Sequence, residues 1–260
     1  MTRSTSTAAL VLAALGSLSG CIDPAASAEQ RELLAAEAAR PPEHVAFVFD
    51  RSQSIQGHQL MQARDLMRDR IRSLGHGDRI TALELLQRSI EEVPKRWSQT
   101  VPERERADLV LPGDSVARDR FLRDAVDYLS AFADTTGRDR ITGTDILSTL
   151  HDVAEEFRVR PDSRKTLYLF SDMLQSTAEI EMEGQRRMPA GDWVTTAVEK
   201  GILPDLSGVC VVVVGGRVDN DAGQRVKEFW KRYFQATGAT LRDENYSYRP
   251  VRLPGAETCA

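Results

Sequence analysis

Three short, almost purely apolar runs constrain this chain more than any other feature: residues 45–49 (VAFVF), 167–170 (LYLF) and Val209–Val214 (VCVVVV). None alternates apolar with polar residues. Each must therefore be covered on both faces, as the strands of a parallel sheet are when helices pack above and below it. Between the runs, apolar residues recur every three or four positions. Leu60, Ala63, Met67, Ile71 and Leu74 make one such stripe; Ile146, Leu150, Val153 and Phe157 make another; Val226, Phe229, Trp230 and Tyr233 make a third. Strand and helix patterns that alternate along a chain predict an α/β fold. We expect a doubly wound, mostly parallel central sheet flanked by helices, with an antiparallel edge strand. The strands should cover 45–49, 79–86, 166–170 and Val209–Val214. Edge strands are expected near 93–97 and 239–242, since the prolines at 94, 102 and 112 bar a central strand from that stretch. Helices should cover 58–74, 116–132, a segment capped by Thr144, 192–199 and 223–236.

The first twenty residues read as a sorting signal. Arg3 precedes an uncharged Ala/Leu-rich stretch, 8–18, which is short for a spanning helix. It ends in Leu18-Ser19-Gly20-Cys21, which resembles the bacterial lipobox and implies that Cys21 is acylated and becomes the mature N-terminus. Residues 1–20 are then a lipoprotein signal peptide and 21–43 a polar, Ala-rich tether, with a short helix over 28–39 stopped by Pro41-Pro42. The domain follows at 44–250, and 251–260 is a C-terminal tail. The expected location is the bacterial cell envelope, with the protein lipid-anchored there. Ile22 follows the cysteine and Asp23 comes one place later, so the inner-membrane retention signal of enterobacteria is missing. That favours the outer membrane, facing the periplasm.

The 34 basic and 39 acidic residues leave a formal charge of −5. A mildly acidic chain without a basic block is a poor nucleic-acid binder, and no nucleic-acid partner is expected. Of the three cysteines, Cys210 and Cys259 remain after Cys21. An exported protein can join them in a disulfide, or Cys210 can serve as a small buried apolar residue; the sequence leaves both open.

Chemistry concentrates where the apolar runs end. Asp50, Ser52 and Ser54 follow the first run at alternate positions, Ser171-Asp172 follow the second, and Thr142-Gly143-Thr144-Asp145 opens a helical pattern. Carboxylate and hydroxyl oxygens suit a hard divalent cation, and open parallel sheets gather ligands beyond the carboxyl ends of their strands. Each string alone also reads as a helix cap or a turn. In this order and setting, they resemble the metal-ion-dependent adhesion site of von Willebrand factor type A domains. The resemblance covers nearly the whole body of the chain in element order. It implies that Ser52, Ser54 and Thr144 bind the metal directly, that Asp50 and Asp172 act through bound waters, and that the ion is Mg²⁺ (or Mn²⁺ or Ca²⁺). A coordination position would stay open for an Asp or Glu from a protein partner. Thr142 and Met173 stand where the family pattern has glycines, and neither change removes a ligand oxygen.

Other constellations are weaker. The histidines at 44, 58, 76 and 151 lack zinc-ligand spacing, and no phosphate-binding glycine loop occurs. Asp219-Asn220-Asp221 lacks calcium-loop spacing and reads as a solvated turn. No nucleophile with a partner base stands out, so an enzyme is not expected. The sequence therefore points to a membrane-anchored, metal-dependent protein-binding module for adhesion or scaffolding. The alternatives are a metal-dependent phosphoesterase using the same oxygens and a structural type A domain with an empty site. The long connection 173–190 should border the metal face, offering Glu179, Glu181, Glu183, Arg186 and Arg187, with Met173, Leu174 and Met182 for apolar contact.

Overall fold

The computed structural model describes residues 32, 35–36, 39–50, 57–85, 95–105, 111–135, 143–182 and 188–259. Along the chain these form β1 (Glu43–Asp50), α1 (Gly57–Arg72), β2 (Arg79–Leu85), β3 (Arg96–Thr100), α2 (Pro112–Thr135), α3 (Ile146–Arg158), β4 (Arg164–Phe170), α4 (Trp193–Glu199), β5 (Val209–Val214), α5 (Asp221–Ala236) and β6 (Thr240–Ser247). A 3₁₀ turn, Ala256–Cys259, comes last. Residues 32, 35, 36 and 39, within the stretch read as a tether helix, are helical. No helix among the described residues is long and apolar enough to cross a membrane.

The six strands form one sheet in the order β3-β2-β1-β4-β5-β6. All pairs are parallel except β2–β3. The expected doubly wound α/β architecture with an antiparallel edge is therefore the one observed. The chain starts in the middle of the sheet, builds β2 on one side of β1, and returns to build β4 on the other. Connections from the neighbouring strands β1 and β4 thus diverge, which leaves a crevice at their carboxyl ends.

Side-chain alternation splits the core into two layers. Ala46 and Val48 of β1 face α3 and α5, sharing a cluster with Leu150, Phe157, Phe229 and Trp230. Val45, Phe47 and Phe49 face α1 and α2, against Met67, Ile71, Leu122 and Leu129. Aromatic rings stiffen both layers: Phe49 stacks on Phe170 at 5.2 Å, and Trp230 meets Tyr233 edge-on at 5.4 Å.

Some boundaries differ from expectation for identifiable reasons. β3 lies at Arg96–Thr100 rather than 93–97, because its partly exposed RWSQT carries no apolar run and only pairing with β2 places it. α2 starts at Pro112, where proline's missing N–H costs nothing in a first helical turn. β6 extends to Ser247 although it is mostly polar, and its pairing with β5 shifts between Val211 and Val213. Asp145, not Thr144, caps α3: its carboxylate accepts hydrogen bonds from the Ser148 N–H (3.1 Å) and hydroxyl (2.7 Å). Asn220 caps α5 through the Gly223 N–H at 2.8 Å, giving the 219–221 turn a structural task.

The residues read as a tail are tied to the sheet as far as 259. Cys210 and Cys259 form a disulfide with Cα atoms 5.5 Å apart. Tyr168 donates to the Pro254 carbonyl at 2.6 Å, and Leu253 packs on the α1–α2 layer. The same Tyr168 hydroxyl accepts from Arg70 Nε at 2.6 Å, and Arg70 also pairs with the buried Glu43.

Candidate metal centre

Asp50 is the last residue of β1 and is buried. It continues the alternation of Ala46 and Val48, so its carboxylate turns toward the α3–α5 layer. Phe49 pairs with Phe170 across the β1–β4 seam, which brings Ser171 opposite Asp50. Ser171 Oγ donates to Asp50 Oδ2 at 2.5 Å and accepts from the Met173 N–H at 2.9 Å. Asp172 is partly exposed, and its Oδ1 accepts from the Leu174 N–H at 3.2 Å. Two carboxylates therefore leave neighbouring parallel strands at the switch point of the sheet.

The loop carrying Thr144 reaches this edge through contacts invisible in the sequence. Thr144 and Ser176 exchange backbone hydrogen bonds at 3.1 and 2.8 Å. Buried Gln175 accepts from the Ile146 and Leu147 N–H groups at 2.8 and 3.2 Å and donates to Asp145 Oδ1 at 3.0 Å. These bonds clamp the β4 exit to the start of α3. They also occupy the first-turn amides of α3, whose dipole would otherwise attract an anion. Thr144 itself is buried, one residue before the cap.

Met173 resolves one departure from the family pattern. It takes φ 66°, the left-handed conformation that glycine adopts without strain. A non-glycine residue there costs roughly 1–2 kcal/mol. Offsetting that, its side chain is fully buried in the α3–α5 layer, and Trp230 Nε1 donates to its carbonyl at 2.8 Å.

The loop after β4 is less available than the sequence suggests. Met173, Ile180 and Met182 are core residues, so Met173 and Met182 offer no apolar contact to a partner. Glu181 accepts from the Ser176 hydroxyl at 3.0 Å and Glu179 is exposed. Glu183, Arg186 and Arg187 lie outside the described residues, as do Ser52, Ser54, Thr142 and Cys21. The structure thus sets Asp50 beside Ser171-Asp172 and ties the Thr144 loop to Gln175 and Ser176, three and four residues after Asp172.

Two residues at this edge escaped the sequence reading. Glu84, buried on β2 beside Phe49, could have been noticed as an acid inside an apolar strand. Tyr246 on β6 is buried with its hydroxyl unpartnered among the described residues. Burial, with the charge of Asp172 adding to it, pushes its phenol above the usual range.

Among the described residues, no three His, Cys, Asp or Glu side chains gather as a metal cluster. Among the described residues, the oxygens at this edge are carboxylates and a hydroxyl, the donors that a hard divalent cation takes.

No protein-family profile and no curated protein matches the chain. Solved structures with some similarity include a von Willebrand factor type A protein from Catenulispora acidiphila, 14% identical, covering 76% of this chain and 43% of that one at a TM-score of 0.36. The human COPII-coat protein Sec24c is 12% identical over 78% of this chain and 30% of its own, TM-score 0.42. Manganese-loaded TRAP from Plasmodium vivax is 12% identical over 80% and 68%, TM-score 0.38. This chain therefore spans less than half the length of the first two. At such scores the strand order and register, rather than any superposition, define the architecture as a doubly wound α/β domain.

Proposed function

We propose that this is a type A–like binding module, held at a membrane by acylated Cys21, that docks a protein partner through a divalent cation. Asp50, Ser52, Ser54, Thr144 and Asp172 would hold Mg²⁺ or Mn²⁺. When bound, the cation supplies a Lewis-acidic site for a partner's Asp or Glu. The observation that supports this most is the pairing of β1 with β4, which sets Asp50 beside Ser171-Asp172 at the switch point while Gln175 clamps the Thr144 loop to the same edge. The protein's own work is to hold the oxygens in place: Ser171 fixes Asp50, and the Met173 turn fixes Asp172.

Calorimetric titration of wild type and Asp50→Ala with Mg²⁺ and Mn²⁺ tests the reading. The variant should lose at least about 2 kcal/mol of metal binding, since an ionised ligand group is removed. Equal binding by the two proteins, or none by wild type at millimolar metal, refutes the metal site.

A further inference from the structure

The hydroxyl of Tyr246 is buried and has no hydrogen-bond partner among the described residues. A buried phenol usually finds one, because a bond left unmade away from water costs free energy. With Tyr246 only 4% exposed, bulk solvent does not supply the partner.

The surroundings of the ring show where a partner would have to stand. Tyr246 pairs with Val213, and both side chains lie in the α3–α5 layer, toward which Asp50 also turns. A Cβ on Gly216 would lie 2.3 Å from Tyr246 Cε1 and 2.5 Å from Cζ, the carbon that carries the hydroxyl. The phenol end of the ring therefore rests on the backbone just beyond β5, where only glycine leaves it room. One residue earlier, a Cβ on Gly215 would lie 2.8 Å from the Ser171 carbonyl oxygen and 3.5 Å from the Asp172 nitrogen. β5 thus leaves the sheet touching the turn that carries the candidate carboxylate.

The ring is held in this place. The Gly215 N–H donates to the Ser247 carbonyl at 2.9 Å, joining the exits of β5 and β6 on either side of it. Lys227 of α5 sets its Nζ 5.9 Å from the ring centre. Burial and, after it, the charge of Asp172 push the phenol's pKa up, so the hydroxyl keeps its proton at neutral pH. A neutral, rigidly held donor therefore stands at the carboxylate edge.

We propose that Tyr246 is a positioning residue of the candidate metal centre, its hydroxyl donating a hydrogen bond to a water carried by the cation at Asp172. The inference rests on the metal-docking reading and adds a residue to it. Mg²⁺ usually retains several of its waters. A carboxylate that acts through such a water holds it from one side, and a donor or acceptor on the protein must orient it from another. The phenol suits this task because it brings no charge to an edge that Asp50 and Asp172 already make acidic. The ion would then deliver the partner that the hydroxyl lacks without it.

Tyr246→Phe in the full-length protein, which removes only the hydroxyl, tests this. Calorimetric titration with Mg²⁺ should show about tenfold weaker binding by the variant, the usual loss when an outer partner of a metal site is removed. Thermal melts supply a readout that a merely structural role would not move. In chelator the variant should melt no lower than wild type, because the hydroxyl it loses has no partner there. In millimolar Mg²⁺ wild type should melt higher, since it gains more from the ion. The tyrosine absorption change on adding Mg²⁺ should likewise shrink in the variant. Equal Mg²⁺ affinity of the two proteins overturns the proposal and leaves the metal reading standing. A variant that binds Mg²⁺ as wild type does but melts lower in chelator overturns it in favour of a buried water that owes nothing to the ion. No Mg²⁺ binding by wild type refutes the metal reading, and the proposal with it.

Discussion

Removing the Cys210–Cys259 bridge should lower stability by an amount the structure sets. The two cysteines are 49 residues apart, and the loop they close contains α5 and β6. Cross-linking a loop of that length removes about 4 kcal/mol of chain entropy from the unfolded state at 25 °C. In the folded state little else changes, because Tyr168 still holds Pro254 at 2.6 Å and Leu253 stays packed. For a domain of this size, each kcal/mol shifts Tm by about 2–4 °C, so the reduced form should melt about 8–16 °C lower. Scanning calorimetry of oxidised and reduced wild type gives that difference, and Cys210→Ala/Cys259→Ala should melt near the reduced form. Non-reducing peptide mapping identifies the bridge directly. Coincident melts of the two forms, or a map without a 210–259 cross-link, would refute the reasoning.

Other consequences can be checked separately. His44 is fully buried, and burial, helped by the nearby charges of Arg79, Arg160 and Lys165, lowers its pKa from 6.5 to about 3. The unfolded chain takes up this proton first, so stability should fall by up to about 1.4 kcal/mol per pH unit as pH drops below 6.5, until the folded pKa is reached. Urea melts of His44→Gln should show a shallower slope over that window, and an unchanged slope would point to other groups. Met173→Gly relieves a left-handed strain of roughly 1–2 kcal/mol but loses a buried side chain. Urea midpoints should therefore rank Met173→Gly above Met173→Ala, the reverse of the order in ordinary backbone, and the ordinary order would deny the strain. Cys21→Ser should release the protein from membranes and abolish labelled palmitate incorporation; a wild type that neither partitions nor carries lipid sinks the anchor.

Features that depend on near neighbours along the chain are legible in the order of amino acids. The short, β-branched run Val209–Val214 reads as a doubly covered strand, and the stripe Val226, Phe229, Trp230 and Tyr233 as the inner face of a helix, because these patterns are local. The oxygens of Asp50 and Asp172 are legible for the same reason: Asp50 follows directly on such a run and Asp172 one residue later. Features that depend on distance in space arise only when the layers pack. The polar β3 and β6 carry weak local signals and exist because a neighbouring strand offers its edge. Gln175 looks like any loop residue, yet it closes the amides of a helix that starts 29 positions earlier. Asp145 displaced Thr144 as the cap because both can accept a hydrogen bond there, and only the backbone path selects one. Arg217 meets the Tyr248 ring where β5 and β6 leave the sheet, and Cys210 meets Cys259 because a 3₁₀ turn far along the chain folds back onto β5. Periodicity writes which face a residue turns inward; it does not write which distant residue waits there, since that choice is made by how the layers pack.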